Sequence, residues 1–188
     1  MKIIIGLGNP GLRFKFSRHN LGFLVVEKLA KSNSIKINQK TLNCLLGKGR
    51  IEHQQVFLAK PLTFMNLSGE AVAQIVKRKK TNLEDLLIIC DDVNLPLGKI
   101  RIRVEGTDGG HKGLRSIIER LGSKDFARLR VGVGAPEFKA ESGKLTGHVL
   151  GRFNKKEIKI VNAAEKIAAA ACVVWAKDGI AKAMNQFN

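Results

Sequence analysis

The chain has few cysteines, and the pattern of those it has excludes the residue's usual special roles. Cys44, Cys90 and Cys172 are odd in number and far apart, with no C-x-x-C pair. Neither a disulfide framework nor a thiolate metal site is expected, and each reads as a small apolar residue inside a strand or helix. Long hydrophobic runs are also missing. The longest, Ile167 to Ala176, is too short to span a bilayer. Asn9-Pro10 interrupts the N-terminal apolar run before it could act as a signal core. A cytoplasmic location without a membrane partner is expected. Acidic residues are scarce: 16 Asp+Glu face 33 Lys+Arg, a net charge of +17 over 188 residues. Such a field favours a polyanionic partner. The densest run, Lys77-Arg78-Lys79-Lys80, has a plainer reading as cations closing a helix C-terminus.

Familiar nucleotide motifs fail as well. Gly6, Gly8 and Gly11 follow a strand in dinucleotide-fingerprint spacing, but Pro10 sits where the helix should begin. The acidic residue expected after the next strand is missing, because Glu27 falls on a helix. Leu12 and Arg13 stand where a phosphate-cradling Walker loop needs Lys and Ser/Thr. A nucleotide-cofactor enzyme remains only as the weaker alternative. No Ser or Cys carries a nucleophile-elbow signature.

What is present is an alternation of helix and strand patterns without linker or repeat, predicting a single α/β domain over residues 1–188. The β-branched run Ile3-Ile4-Ile5 predicts a buried strand, then a sharp loop carrying Asn9. Ser17-Arg18-His19-Asn20 opens a helix with Leu21, Val25, Val26 and Leu29 on one face. Thr41–Ile51 and Gln55–Ala59 read as extended segments, with His53 exposed in the turn between them. Asn66 is placed as the N-cap of a helix bearing Leu67, Ala71, Ile75 and Val76; Phe64 and Met65 suit a core equally well. The apolar strand Leu86–Cys90 runs into Asp91-Asp92, a crevice position in an open α/β sheet. Gly98–Val104 alternates, with Ile100, Ile102 and Val104 on one face and Lys99, Arg101 and Arg103 on the other. That cationic face suits a phosphate backbone or plain solvent. Gly106–Leu114, with Gly109, Gly110, His111 and Lys112, is a glycine-rich loop whose helix start offers backbone N–H groups to an anion. Leu129–Gly134 is another strand. Residues 137–148 read as a mobile surface loop. Asn154 and Glu157 form a capping box for a terminal helix over 154–187, anchored by Ile158, Val161 and Ile167.

Taken in order, Gly6-Leu-Gly-Asn9-Pro-Gly11, Arg18-His19-Asn20, Lys60-Pro61 with Thr63-Phe64-Met65-Asn66-Leu-Ser-Gly69, Asp91-Asp92 before Leu95-Pro96, Gly109-Gly110-His111, and Arg128-Leu-Arg130-Val-Gly-Val-Gly134 strongly resemble the bacterial-type peptidyl-tRNA hydrolases. The resemblance runs from residue 3 to about Phe153. It implies a monomeric esterase with no metal or cofactor, built on a twisted mixed sheet flanked by helices on both faces. Its substrate would be peptidyl-tRNA from chains that left the ribosome early.

The resemblance also implies roles. His19 would take a proton from water, and Asp91 would fix and stabilise its ring. Asn9 and Asn66 would hold the peptide end and the attacked carbonyl, since an amide both donates and accepts. Phe14 and Phe64, beside Met65, would face the tRNA terminus, where an aromatic ring can stack. Gly110, His111 and Lys112 would flank the cleft. Lys99, Arg101, Arg103, Arg130 and Lys112 are candidates for phosphate contacts that read no sequence. Three positions depart from the family pattern. Lys112 replaces an asparagine and cannot accept a hydrogen bond, Phe14 lacks a tyrosine hydroxyl, and Asn94 replaces an acid. A rival class, a non-catalytic RNA-binding relative, would keep the basic surface and lose the His19–Asp91 chemistry.

Overall fold

Ile3, Ile4 and Ile5 are fully buried, as expected of a strand covered on both faces. They belong to β1 (Lys2–Gly6), the centre of a sheet in a computed structural model that describes residues 1–134 and 142–188, with only the backbone for 142–144. The other strands are β2 (Gln39–Thr41), β3 (Cys44–Ile51), β4 (Gln54–Pro61), β5 (Leu86–Asp92), β6 (Ile100–Arg103) and β7 (Ala127–Gly132). Their order is β2-β3-β4-β1-β5-β7-β6. The central pairs β4–β1, β1–β5 and β5–β7 are parallel, whereas β2–β3, β3–β4 and β6–β7 are antiparallel. The sheet is therefore mixed.

Helices cover both faces. On one side Ile4, Leu58, Leu87, Ile89 and Leu129 pack with α1 (Leu21–Ser32) and α5 (Lys155–Asp178). On the other, Ile3, Ile5, Ile88 and Cys90 pack with α2 (Ser68–Lys79) and α3 (Lys112–Leu121). The remaining helices are α4 (Ser142–Leu150) and α6 (Ile180–Phe187). None is long and apolar enough to cross a membrane, among the described residues.

Several local expectations are corrected. Thr41–Ile51 is not one strand, because Leu42 and Asn43, both at positive φ, turn the chain from β2 into β3. β6 stops at Arg103, leaving Val104 exposed on the way to the next loop. The 154–187 segment is two helices, broken at Gly179, where φ is 90°. Its buried stripe is Val161, Ala164, Ala168, Cys172 and Trp175, while Ile158 and Ile167 point outward. The helix face that meets the core is thus set by this stripe and not by the isoleucines. The expected 137–148 loop falls partly outside the described residues, and from Ser142 onward it is helix.

One close contact sets the geometry of the site. The start of α1 crosses the end of β1 so tightly that a Cβ on Gly22 would lie 2.4 Å from both Ile89 O and Leu7 N. A Cβ on Gly6 would meet Gly22 O at 2.1 Å. Only glycine at both positions permits this crossing, and it suspends residues 18–20 above the ends of β1 and β5. Because the obstructing atoms are backbone, Gly22→Ala is expected to cost on the order of 2–4 kcal/mol. Urea melts of the two proteins measure it.

Candidate active site

The strand ends of β1 and β5, the turn before α1, the turn before α2 and the loop before α3 surround a cleft of about 490 Å³. Its walls include Asn9, Phe14, His19, Phe64, Met65, Asn66, Asp91, Gly110, His111, Lys112 and Arg130. Arg103 is not among them; it is exposed on β6. The sequence-selected residues thus divide into a group converging on the cleft and the cationic strand outside it.

Asp91, the penultimate residue of β5, is buried and shared by two imidazoles. His19 Nδ1 lies 2.8 and 3.0 Å from its two carboxylate oxygens. His111 Nε2 lies 3.1 Å from Oδ1. The two rings sit 4.9 Å apart, centroid to centroid. Their tautomers follow from their partners. His111 is the N-cap of α3, and its Nδ1 accepts the N–H groups of Gly113 and Leu114 at 3.1 and 3.2 Å. Its proton is therefore on Nε2 and is donated to Asp91. His19 donates from Nδ1, leaving the Nε2 lone pair toward the cleft. Burial pushes the Asp91 carboxyl up, but the electrostatic attraction and hydrogen bonds of the His19 and His111 ring N–H groups outweigh it and hold the group well below the usual carboxylate range.

The glycine-rich loop differs from the anion site expected of it. Gly113 and Leu114 N–H are taken by His111, and Gly110 N–H is taken by Asp108 Oδ1 at 2.8 Å. Burial opposes ionisation of Asp108, yet Gly110 and Arg115 hold its carboxyl low. A carboxylate already occupies the position an anion would take. Lys112, the first residue of α3, is exposed at the cleft wall.

Asn9 is fixed from two directions. Its backbone N–H donates to Asn20 Oδ1 at 2.8 Å, and Asn20 Nδ2 donates back to Asn9 O at 2.9 Å. Its own Oδ1 accepts Met65 N–H at 2.8 Å. With the acceptor used, the Nδ2 donor is what Asn9 has left for a ligand. The reading of Asn66 as a helix cap is corrected by the structure. Asn66 lies in the 3₁₀ turn Met65–Leu67, exposed at the cleft, and makes no capping bond. The Gly69 N–H that a cap at this position would accept donates instead to Ser116 Oγ of α3, 47 residues away, at 3.0 Å. Of the aromatic pair, Phe64 is 51 % exposed. Phe14 is half-buried, with the Arg13 guanidinium 4.4 Å from its ring centroid.

Three arginines of the sequence motifs have different roles. Arg130 Nη1 lies 2.9 Å from Asp92 Oδ2, while Asp92 Oδ1 accepts Asn94 N–H at 2.8 Å. That second bond uses Asn94 backbone and does not depend on its side chain. Arg128 is buried, donating to the carbonyls of Gly106, Thr107, Lys124 and Phe126. It pins the loop that leads to His111. Arg18 donates to Arg152 O at 2.7 Å and lies 2.9 Å from both Glu157 carboxylate oxygens, tying the His19 turn to the start of α5. The expected capping box is present there, with Asn154 accepting from Lys156 and Glu157 N–H and Glu157 accepting from Asn154 N–H.

Asn20, Arg18 and Arg128 stand in the sequence motifs, but their spacing assigns them no function; the structure makes all three supports of the site. Asp108 and the α4 residues Leu145, Val149 and Leu150 also line the cleft and are absent from the motif reading. Asn20 carries a readable signal, as a polar residue facing an apolar helix start. The α4 residues carry none, since their stretch is polar overall.

His19, Asp91 and His111 also form the one cluster, among the described residues, whose three potential metal ligands lie within 4.8 Å of one another. Their atoms are already paired with each other, and His111 Nδ1 is filled by backbone N–H groups, so a cation would have to displace these bonds. Burial pushes the Cys44 thiol up to about 12. Burial, followed by the Asp91 and Asp92 carboxylates, pushes Cys90 up further. Neither thiol is suited to act as a nucleophile.

The depressed Asp91 carboxyl sets the sign of a pH effect. Its contribution to stability is complete above the ordinary Asp value, about 3.9, and is lost only as pH falls below that through the folded-state value. Carboxyl-carbon NMR is expected to find Asp91 still ionised where ordinary aspartates have titrated. An ordinary midpoint would show that the two imidazoles do not hold it.

The family described as Peptidyl-tRNA hydrolase matches residues 3–188 of this chain. Among curated relatives, a peptidyl-tRNA hydrolase of Bacillus cytotoxicus is 42% identical over 188 residues, covering all of both chains. One from Caldanaerobacter subterraneus subsp. tengcongensis is 45% identical, again over all of both. The crystal structure of peptidyl-tRNA hydrolase from Acinetobacter baumannii superposes with a TM-score of 0.94 at 35% identity. It covers all of this chain and 94% of that one.

Proposed function

We propose, from the premise that this chain belongs to the peptidyl-tRNA hydrolase family, that the cleft around His19 hydrolyses the ester joining a peptide to the 3′-terminal ribose of tRNA. The observation that carries the reading is the His19–Asp91 pair, with Nδ1 held at 2.8 Å and Nε2 left for the cleft. His19 Nε2 takes a proton as water attacks the ester carbonyl. Asp91 stabilises the imidazolium that results, and His111 keeps the carboxylate from turning away. Asn9 Nδ2 donates to the carbonyl oxygen as it gains charge. The imidazolium then returns its proton to the departing ribose oxygen. The products are a free peptide carboxylate and an intact tRNA 3′ end.

Asn66 and Lys112, both exposed at the cleft wall, bind the peptide and the terminal nucleotides. Phe64 offers an open ring face for a base, and Phe14 a second ring beside Arg13. The exposed Arg101 and Arg103 side chains on β6 take phosphates of the tRNA body. Arg130 is less free for that task, because Asp92 already neutralises much of it. The reading is of a monomer acting without a cofactor, in the cytoplasm where tRNA is used.

Release of an N-blocked aminoacyl group from tRNA by the purified protein is the direct test. His19→Ala is expected to lower kcat by about 10²–10⁴-fold with KM little changed. Tight tRNA binding by the unmodified protein without release would support the RNA-binding reading instead. Arg103→Ala is expected to raise KM, spare kcat and reduce the slope of log(kcat/KM) against log salt by about one. A collapse of kcat with an unchanged salt slope would remove Arg103 from the phosphate path.

A further inference from the structure

β6 is an edge strand, and edge strands carry unpaired backbone groups on their outer side. In its pairing with β7, Arg101 faces Arg130 and Arg103 faces Arg128, with Ile102 opposite Leu129. The backbone of Ile102 points away from β7, to the open edge. There it meets a single side chain. Ile102 N–H donates to Asn188 Oδ1 at 2.7 Å, and Asn188 Nδ2 donates to Ile102 O at 3.1 Å. One carboxamide thus satisfies both groups that a neighbouring strand would have satisfied. α6 brings it there, with Ala183 fully buried and Met184 and Phe187 packed against the core.

The residue so held sits between the two exposed arginines. Four residues past Ile102, Arg128 binds the carbonyl of Gly106 at 2.7 Å. Arg103 therefore projects from a short span fixed at both ends, once from the edge and once from beneath the next loop. A strand end otherwise free on one side becomes a rigid mount for a long, flexible side chain.

We infer that Asn188 is a positioning residue for tRNA binding, acting through Ile102 to fix the line of Arg101 and Arg103. This rests on the reading that those arginines take tRNA phosphates. Phosphate contacts gain from a preset spacing, because each arginine then binds without the strand first being ordered. The effect belongs in binding of the tRNA body, since Asn188 lines no part of the His19 cleft.

The test compares Asn188→Ala and Asn188→Asp with the unmodified protein on two substrates, N-acetylaminoacyl-tRNA and the same ester on a CCA trinucleotide. The aspartate keeps the shape, loses the donor to Ile102 O and sets a carboxylate against that carbonyl, so it serves if the alanine variant does not fold. In Asn188→Ala, which removes the acceptor, the Ile102 amide is expected to exchange its hydrogen at least about tenfold faster. KM on full tRNA is expected to rise about three- to tenfold with kcat within about twofold. Kinetics on the trinucleotide are expected to stay the same. Faster exchange with KM on tRNA unmoved would overturn the proposal. So would an equal loss on both substrates, which marks general damage. Arg103→Ala separates the two levels. If it raises KM and Asn188→Ala does not, the positioning role alone falls. If neither does, the phosphate reading falls and takes this inference with it.

Discussion

A single buried carboxylate organises the cleft. Asp91 comes from the end of a central strand, His19 from the turn before α1 and His111 from the cap of α3, and the three meet through hydrogen bonds of 2.8–3.1 Å. A carboxylate taken out of water is costly unless its oxygens are satisfied. Here two ring N–H groups satisfy it, and in doing so fix both tautomers. The arrangement is reciprocal. Asp91 stays ionised because of the rings, and the rings keep their orientation because of Asp91. His111 extends this order outward, since the same ring that anchors Asp91 also starts α3.

The positive charge of the chain is divided between structure and surface. Arg18 and Arg128 are buried and spend their donors on carbonyls or a carboxylate within the fold. Arg130 is half-committed to Asp92, and Arg101 and Arg103 remain open to solvent. A guanidinium with five donors in a fixed fork suits both uses. A net charge of +17 therefore overstates the cations available for a polyanion. Which arginines are which depends on register: Arg103 and Arg128 are cross-strand partners, yet one is at the surface and the other beneath a loop.

Features set by near neighbours in the chain are legible from the sequence. The Ile3–Ile5 and Leu86–Cys90 strands, the helix after His19, the exposed turn at His53 and the Asn154–Glu157 capping box all follow from residues within a few positions of one another. The gathering of Asn9, His19 and Asp91 is legible because α/β sheets collect their ligands at strand ends. Where expectation and fold part, the usual cause is a partner distant in sequence. Asn66 has the side chain of a helix cap, but Ser116 of α3 takes the Gly69 N–H it would have capped. The N–H groups before α3 look available until His111 folds back on them. Ile158 and Ile167 are large apolar residues of α5, yet the face that meets the core is the one carrying Val161, Ala164, Ala168, Cys172 and Trp175. The break at Gly179 has a local sign in the glycine itself, outweighed by apolar residues on either side.

The tie between Arg18 and Glu157 bridges 139 positions of the chain, with Ser17 and Arg152 bridged alongside it. The turn that bears His19 is therefore held in part by a helix made long after it. Asn9, Asp91 and His111 can all be in place while that turn still lacks its anchor. During translation, the His19 turn gains this anchor only after α5 has emerged and docked. Contacts of such separation are slow to form because the intervening chain must first be ordered.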